Sequence, residues 1–92
     1  MPVRLDKWLW FARFFKSRSL ARAVVEAGEV RLDGRRVVRA AQPVGPGDEL
    51  VFPTAKRRRR VRVVAVAERR GPAPEAQALY VELEPPPAAA DD

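Results

Sequence analysis

The sequence predicts an α+β chain in which two short helices are followed by a hairpin, two further strands and a third short helix. Three observations carry this. Apolar residues recur at helical spacing between Leu5 and Ala27. Gly28 and the pair Asp33-Gly34 then punctuate the chain. From Val30 to Ala67 the pattern becomes short β-branched runs broken by Pro and Gly.

The first helix is expected over Leu5 to Phe15. At 100° per residue, Leu5, Trp8, Leu9, Ala12 and Phe15 form a stripe for the core, with Phe11 on its border. Asp6, Lys7, Trp10, Arg13 and Phe14 fall on the other side. Lys7 and Arg13 there are either contacts to a polyanionic partner or part of a solvated face, and their convergence with Arg18 and Arg22 favours contact. Trp10 and Phe14 could stack on splayed bases. They are expected instead to be covered by the chain's own C-terminal segment, because two large exposed aromatics invite aggregation.

The second helix should span Arg18 to Ala27, with Ser17 as N-cap and Gly28 as the left-handed residue after its end. Leu20, Ala21, Val24, Val25 and Ala27 share its apolar side, leaving Arg18, Arg22 and Glu26 in a row on the other. Lys16, Arg18 and Arg22 crowd an N-terminus, where the macrodipole favours anions. A bound phosphate would relieve that, since a capped helix start ringed by cations suits one.

Val30-Arg31-Leu32 and Arg35-Arg36-Val37-Val38 flank Asp33-Gly34, a two-residue turn of type I′. Counting outward pairs Leu32 with Arg35, Arg31 with Arg36 and Val30 with Val37. One face is then apolar, while the other sets two arginines opposite each other, which is unfavourable unless an anion lies beside them.

Pro43-Val44-Gly45-Pro46-Gly47-Asp48 is dense turn chemistry, with Asp48 bracing the turn. A strand over Glu49 to Phe52 ends at Pro53. A longer strand, about Arg58 to Ala67, should pair back across the loop. Lys56, Arg57, Arg58, Arg59 and Arg60 form the densest charge run. It reads either as a flexible, sequence-blind phosphate contact or as a solvated run deterring edge pairing. Pro74 suits the first turn of a short helix near Glu75 to Tyr80, followed by Val81 to Glu84. Residues 85–92 are expected to be a disordered tail.

All 18 Lys and Arg lie at or before Arg70 with seven of the 12 acidic residues, so that part carries +11 and the remainder −5. A polyanionic partner belongs to the first part. Fifteen of the 18 bases are Arg, whose planar fork suits RNA, although genome composition or a hot habitat would give the same bias. The absence of Cys and His removes most metal sites, thiol chemistry and the usual general base. Ser17 and Ser19, the only serines, have no imidazole to activate them, so neither an enzyme nor a cofactor is expected. No apolar run approaches the roughly 20 residues of a membrane span and no signal-peptide layout is present, so a cytoplasmic monomer is expected.

The pattern carried by Arg4-Leu5-Asp6-Lys7, Leu9, Lys16-Ser17-Arg18-Ser19, Ala21-Arg22, Gly28, Val30, Gly34 and Val37 resembles the S4-type RNA-binding domain. Lys7-Trp8-Leu9-Trp10, Ala12-Arg13-Phe14 and Arg69-Arg70-Gly71-Pro72 bring it nearer the heat-shock protein 15 group and its short ribosome-quality-control kin. The resemblance implies two helices packed on a small, mostly antiparallel sheet. It places an αL-motif core at 4–52 and an extension at 53–84 within one domain over 1–84. It implies binding to large-subunit ribosomal RNA, with peptidyl-tRNA as a further partner, on subunits that retain a nascent chain. Longer relatives of that group continue into a charged C-terminal helix, whereas here Pro85-Pro86-Pro87 follows Glu84, so that helix is not expected.

The expected RNA surface comprises Arg4, Lys7, Arg13, Lys16, Ser17, Arg18, Ser19 and Arg22 around the helices and Arg31 and Arg36 on the hairpin. Lys56, Arg57, Arg58 and Arg59 extend it. Arg4 is favoured by the resemblance, although a solvated terminal arginine would look alike. A nonspecific DNA-binding nucleoid protein and a protein-interaction module built on Trp10, Phe14 and the C-terminal helix remain the rivals.

Overall fold

A computed structural model describes residues 2–84. Their elements run β1 (Val3–Arg4), α1 (Leu5–Phe11), α2 (Arg18–Glu26), β2 (Val30–Leu32), β3 (Arg35–Val37), β4 (Pro43–Val44), β5 (Glu49–Pro53), β6 (Arg58–Val63), α3 (Ala73–Gln77) and β7 (Tyr80–Glu82). Five strands make one antiparallel sheet in the order β3-β2-β5-β6-β7, and β1 pairs with β4 beside α1. The α+β expectation holds. The expected tail at 85–92 lies outside the described residues.

One face of the sheet carries Val30, Leu32, Leu50, Phe52, Val61 and Val63, all buried against Leu5, Trp8, Leu9, Ala21 and Val25 of the helices. The hairpin register is the one counted from the sequence, with Val30 opposite Val37 and Arg31 opposite Arg36. Asp33 and Gly34 both take positive φ, as a type I′ turn requires.

Helix α1 stops at Phe11, four residues short of the expected Phe15. Arg13 takes φ 65°, and a pair of bonds closes the helix: its amide donates to the Trp10 carbonyl and the Phe14 amide to that of Leu9. This is a Schellman closure with arginine where glycine is usual. Its consequence is to swing Phe14 inward, its ring 4.8 Å from Phe52 and 4.6 Å from Tyr80. Trp10 is half-buried with Arg70 over its ring at 5.5 Å. The two aromatics are therefore covered by the C-terminal segment as expected, though by Tyr80 and Arg70 and not by α3.

Three other expectations are corrected. On α2, Leu20 and Ala27 are exposed, because only Ala21 and Val25 point straight at α1 and the sheet. Strand β6 ends at Val63 and not near Ala67: the Val64 and Ala65 amides both donate to the Leu79 carbonyl, and the Ala65 carbonyl accepts from Trp8 Nε1 at 3.0 Å. Helix α3 begins at Ala73 and releases the chain before Tyr80, which starts β7 alongside β6.

Candidate nucleic-acid interface

Arg4 precedes α1 and Arg18 opens α2, and Asp6 ties them together. Its carboxylate, 1% exposed, accepts from Arg4 at 3.1 and 3.2 Å, from Arg18 Nε at 3.4 Å and from the Lys7 amide at 2.8 Å. Both arginine side chains remain 41% exposed. A buried carboxylate demands such partners, and meeting that demand fixes two cations at the surface. Asp6 was not anticipated as a site residue. Its place in the first turn of α1, between Arg4 and Lys7, was the available signal, but which cations it would meet depends on where α2 packs.

The sequence had set a bound phosphate as the relief for the cations crowding the start of α2; within the protein, Asp6 serves Arg18, and Glu26, in the same helix row, accepts from Arg22 Nε at 2.9 Å. That hydrogen bond raises the Arg22 pKa above its ordinary value. Ser17 caps α2, its Oγ accepting from the Leu20 amide at 3.1 Å. Ser19, Arg18, Arg22 and Asp6 line a hollow of about 190 Å³ at the same helix start. Lys7 and Lys16 flank this corner and have no ion-pair partner among the described residues.

The other expected residues are placed elsewhere. Arg13 lies beyond the end of α1 with its Nε donating to the Gly71 carbonyl at 2.9 Å. Arg31 and Arg36 alternate with buried Val30, Leu32 and Val37, so they project from the sheet face away from the core. Arg36 bends to donate to the Gly28 carbonyl at 3.0 Å, at the negative end of α2, which relieves its opposition to Arg31.

The Lys56–Arg60 run is less free than the sequence implied. Thr54 closes the turn, its amide and hydroxyl both donating to the Arg57 carbonyl, and β6 begins at Arg58. Arg59 pairs with Glu82 and lies 5.0 Å over the Phe14 ring. The hydrogen bond to Glu82 holds the Arg59 pKa above its ordinary value against the opposing effect of burial. Arg57 approaches Glu82 at 4.0 Å, and Arg60 binds Glu49 at 2.9 Å. Arg58 is half-buried opposite Pro53. Lys56 stays exposed. The candidate residues thus divide into a helical corner, an outer sheet face and a loop region.

No described helix is long and apolar enough to cross a membrane. The S4 domain model matches residues 3–50. The Haemophilus influenzae heat shock protein 15 homolog is 42% identical over 82 residues, covering 89% of this chain and 62% of that protein. Escherichia coli heat shock protein 15 is 45% identical over the same length, covering 61% of that protein. The chain therefore spans about three fifths of the curated relatives it matches. The Bacillus subtilis RQC P-site tRNA stabilizing factor is 42% identical over 48 residues, 52% of this chain and 55% of that one. A trimeric structure of Vibrio cholerae heat shock protein 15 superimposes with a TM-score of 0.84 at 41% identity, covering 90% of this chain and 83% of that one. With helices, hairpin and sheet in common, the chain belongs to the S4 domain family and, within it, to the heat shock protein 15 group.

Proposed function

We propose that this protein binds RNA without catalysing a reaction, with large-subunit ribosomal RNA as its main partner and peptidyl-tRNA as a second. It acts in the cytoplasm as a monomer on subunits that retain a nascent chain, in ribosome recycling and quality control under heat stress. The observation that carries this reading is the corner set by Asp6. A buried anion holds Arg4 and Arg18 at the capped start of α2, beside Ser19, Arg22, Lys7 and Lys16. Such a preformed cationic corner suits a folded RNA backbone read by shape. The Bacillus subtilis relative's name as a P-site tRNA stabilizing factor supports a tRNA contact. The protein-interaction rival is weakened because Phe14 is packed against Phe52 and Tyr80.

Sedimentation of tagged protein with ribosomal particles tests the reading. The protein should follow free large subunits. Recovery with small subunits only, or at the top of the gradient, would reject it, and equal competition by duplex DNA would favour the nucleoid alternative. Light scattering across a concentration series tests the monomer, a threefold mass being the contrary result.

A further inference from the structure

A groove of about 430 Å³ opens on the side of the molecule where Arg13, the Thr54–Arg57 loop and α3 converge. That volume lies in the range of small-ligand sites, about 300–1,000 Å³. Its lining includes Arg13, Lys56, Arg57 and Arg59, with no acidic residue among the described lining residues. Glu82, beside the groove, is already engaged by Arg59 and approached by Arg57. Lys56 has no ion-pair partner among the described residues, and Arg57 is 54% exposed. The remaining wall is apolar or neutral: Ala12, Ala55, Ala73, Ala76, the Phe14 and Tyr80 rings, and the exposed Gln77 amide.

Cations, an apolar wall with two aromatic rings and an amide able to donate and accept are the complements of phosphate, base plane and base edge. A duplex cannot enter a hollow of this size, but a single extruded base can. Continuity with the helical corner is short, since the four residue steps from Arg13 to Ser17 span at most about 14 Å. Two of the three walls, at 54–59 and 73–80, lie beyond the matched S4 domain, which ends at residue 50. We propose that this groove takes one unpaired nucleotide of the RNA, with the base against Tyr80, its edge at Gln77 and its phosphate at Lys56 and Arg57. The inference rests on the RNA-binding reading.

The test compares a blunt RNA hairpin with the same hairpin carrying one unpaired nucleotide, using the full chain and Ala55→Trp. Ala55 is exposed on the loop, so the indole fills the groove without changing charge or core. The wild type should bind the hairpin with the unpaired nucleotide about tenfold more tightly, as expected for one base gaining a stacking partner. Ala55→Trp should erase that gain and leave the blunt hairpin unaffected, and Gln77→Ala should reduce the gain and make it depend less on base identity. Equal wild-type affinity for the two hairpins, or a gain that survives Ala55→Trp, overturns the groove while leaving RNA binding in place. Failure to bind either hairpin overturns the RNA reading and the groove with it. In a parallel titration followed by NMR, a ribonucleoside monophosphate should shift the Gln77 side-chain amide, and an equal shift with inorganic phosphate would overturn base recognition.

Discussion

Asp6 and Arg18, twelve residues apart in the chain, meet carboxylate to guanidinium at 3.4 Å, the first buried and the second open to solvent. Because Arg4 shares the same carboxylate, one buried anion orients two surface cations. With RNA on the helical corner as proposed, stability and binding are coupled at Asp6. Asp6→Ala should lower folding stability by about 1–3 kcal/mol, the range for hydrogen bonds to charged groups when the partners stay partly hydrated. RNA affinity should fall as well, although the change makes the protein more positive. Urea unfolding and RNA titration on the same variant check this, and an affinity that rises with the added net charge would show that positioning is immaterial.

Salt dependence separates a backbone grip from an apolar interface. If the helical corner and its flanking lysines neutralise about five phosphates, log affinity should fall against log salt with a slope of about −3.5 to −4.5. Titrations of structured RNA across the salt range measure it. A flat response would remove the electrostatic mechanism, and duplex DNA should compete poorly.

Arg70 closes the fold from outside the helices. Its guanidinium donates to the Trp10 carbonyl at 3.0 Å and the Phe15 carbonyl at 3.3 Å while lying over the Trp10 ring. It thus serves carbonyls at and beyond the end of α1, where a cation is favoured by the macrodipole. Arg70→Ala should cost about 2 kcal/mol of stability and shift Trp fluorescence to longer wavelength. Blunt-hairpin affinity should hold if RNA sits on the helical corner. An unchanged spectrum would mean that Trp10 is already open to water.

The features legible in the sequence were those set by local chemistry. Asp33-Gly34 dictates its turn and hence the register of two strands, and Ser17 and Gly28 mark the two ends of α2. What was not legible depends on partners distant in the chain. The apolar stripe ran on to Phe15, but α1 ends at Phe11 because Phe14 finds Phe52 and Tyr80. The arginine run looked free because Glu49 and Glu82 reach it only once the sheet has formed. Strand alternation had already put Arg31 and Arg36 on the face away from the core, but the turn of Arg36 toward the Gly28 carbonyl depends on how α2 ends above the hairpin.

Arg18 and Arg59 provide the sharpest comparison, since both are arginines with a carboxylate partner but in different surroundings. Arg18 lies 41% exposed at the capped start of α2, leaving much of its fork available, so Arg18→Ala should weaken RNA binding by about 1.5–3 kcal/mol. Its stability cost should stay near 1 kcal/mol or below, because the pair with Asp6 is half hydrated and Arg4 remains. A helix-dipole argument alone would have predicted unchanged or improved stability. The buried Asp6 reverses that sign. Adding Arg22→Ala should reduce binding further with little effect on folding, since its pair with Glu26 is exposed on both sides. Arg59 is 24% exposed, paired with Glu82 and stacked on Phe14, so Arg59→Ala should act mainly on stability and cost blunt-hairpin binding less than Arg18→Ala does. Unfolding curves and hairpin titrations on the Arg18, Arg18/Arg22 and Arg59 variants decide the matter. If Arg59→Ala proves the more damaging to blunt-hairpin binding, the RNA lies on the β6–β7 side and the helical corner is not its site.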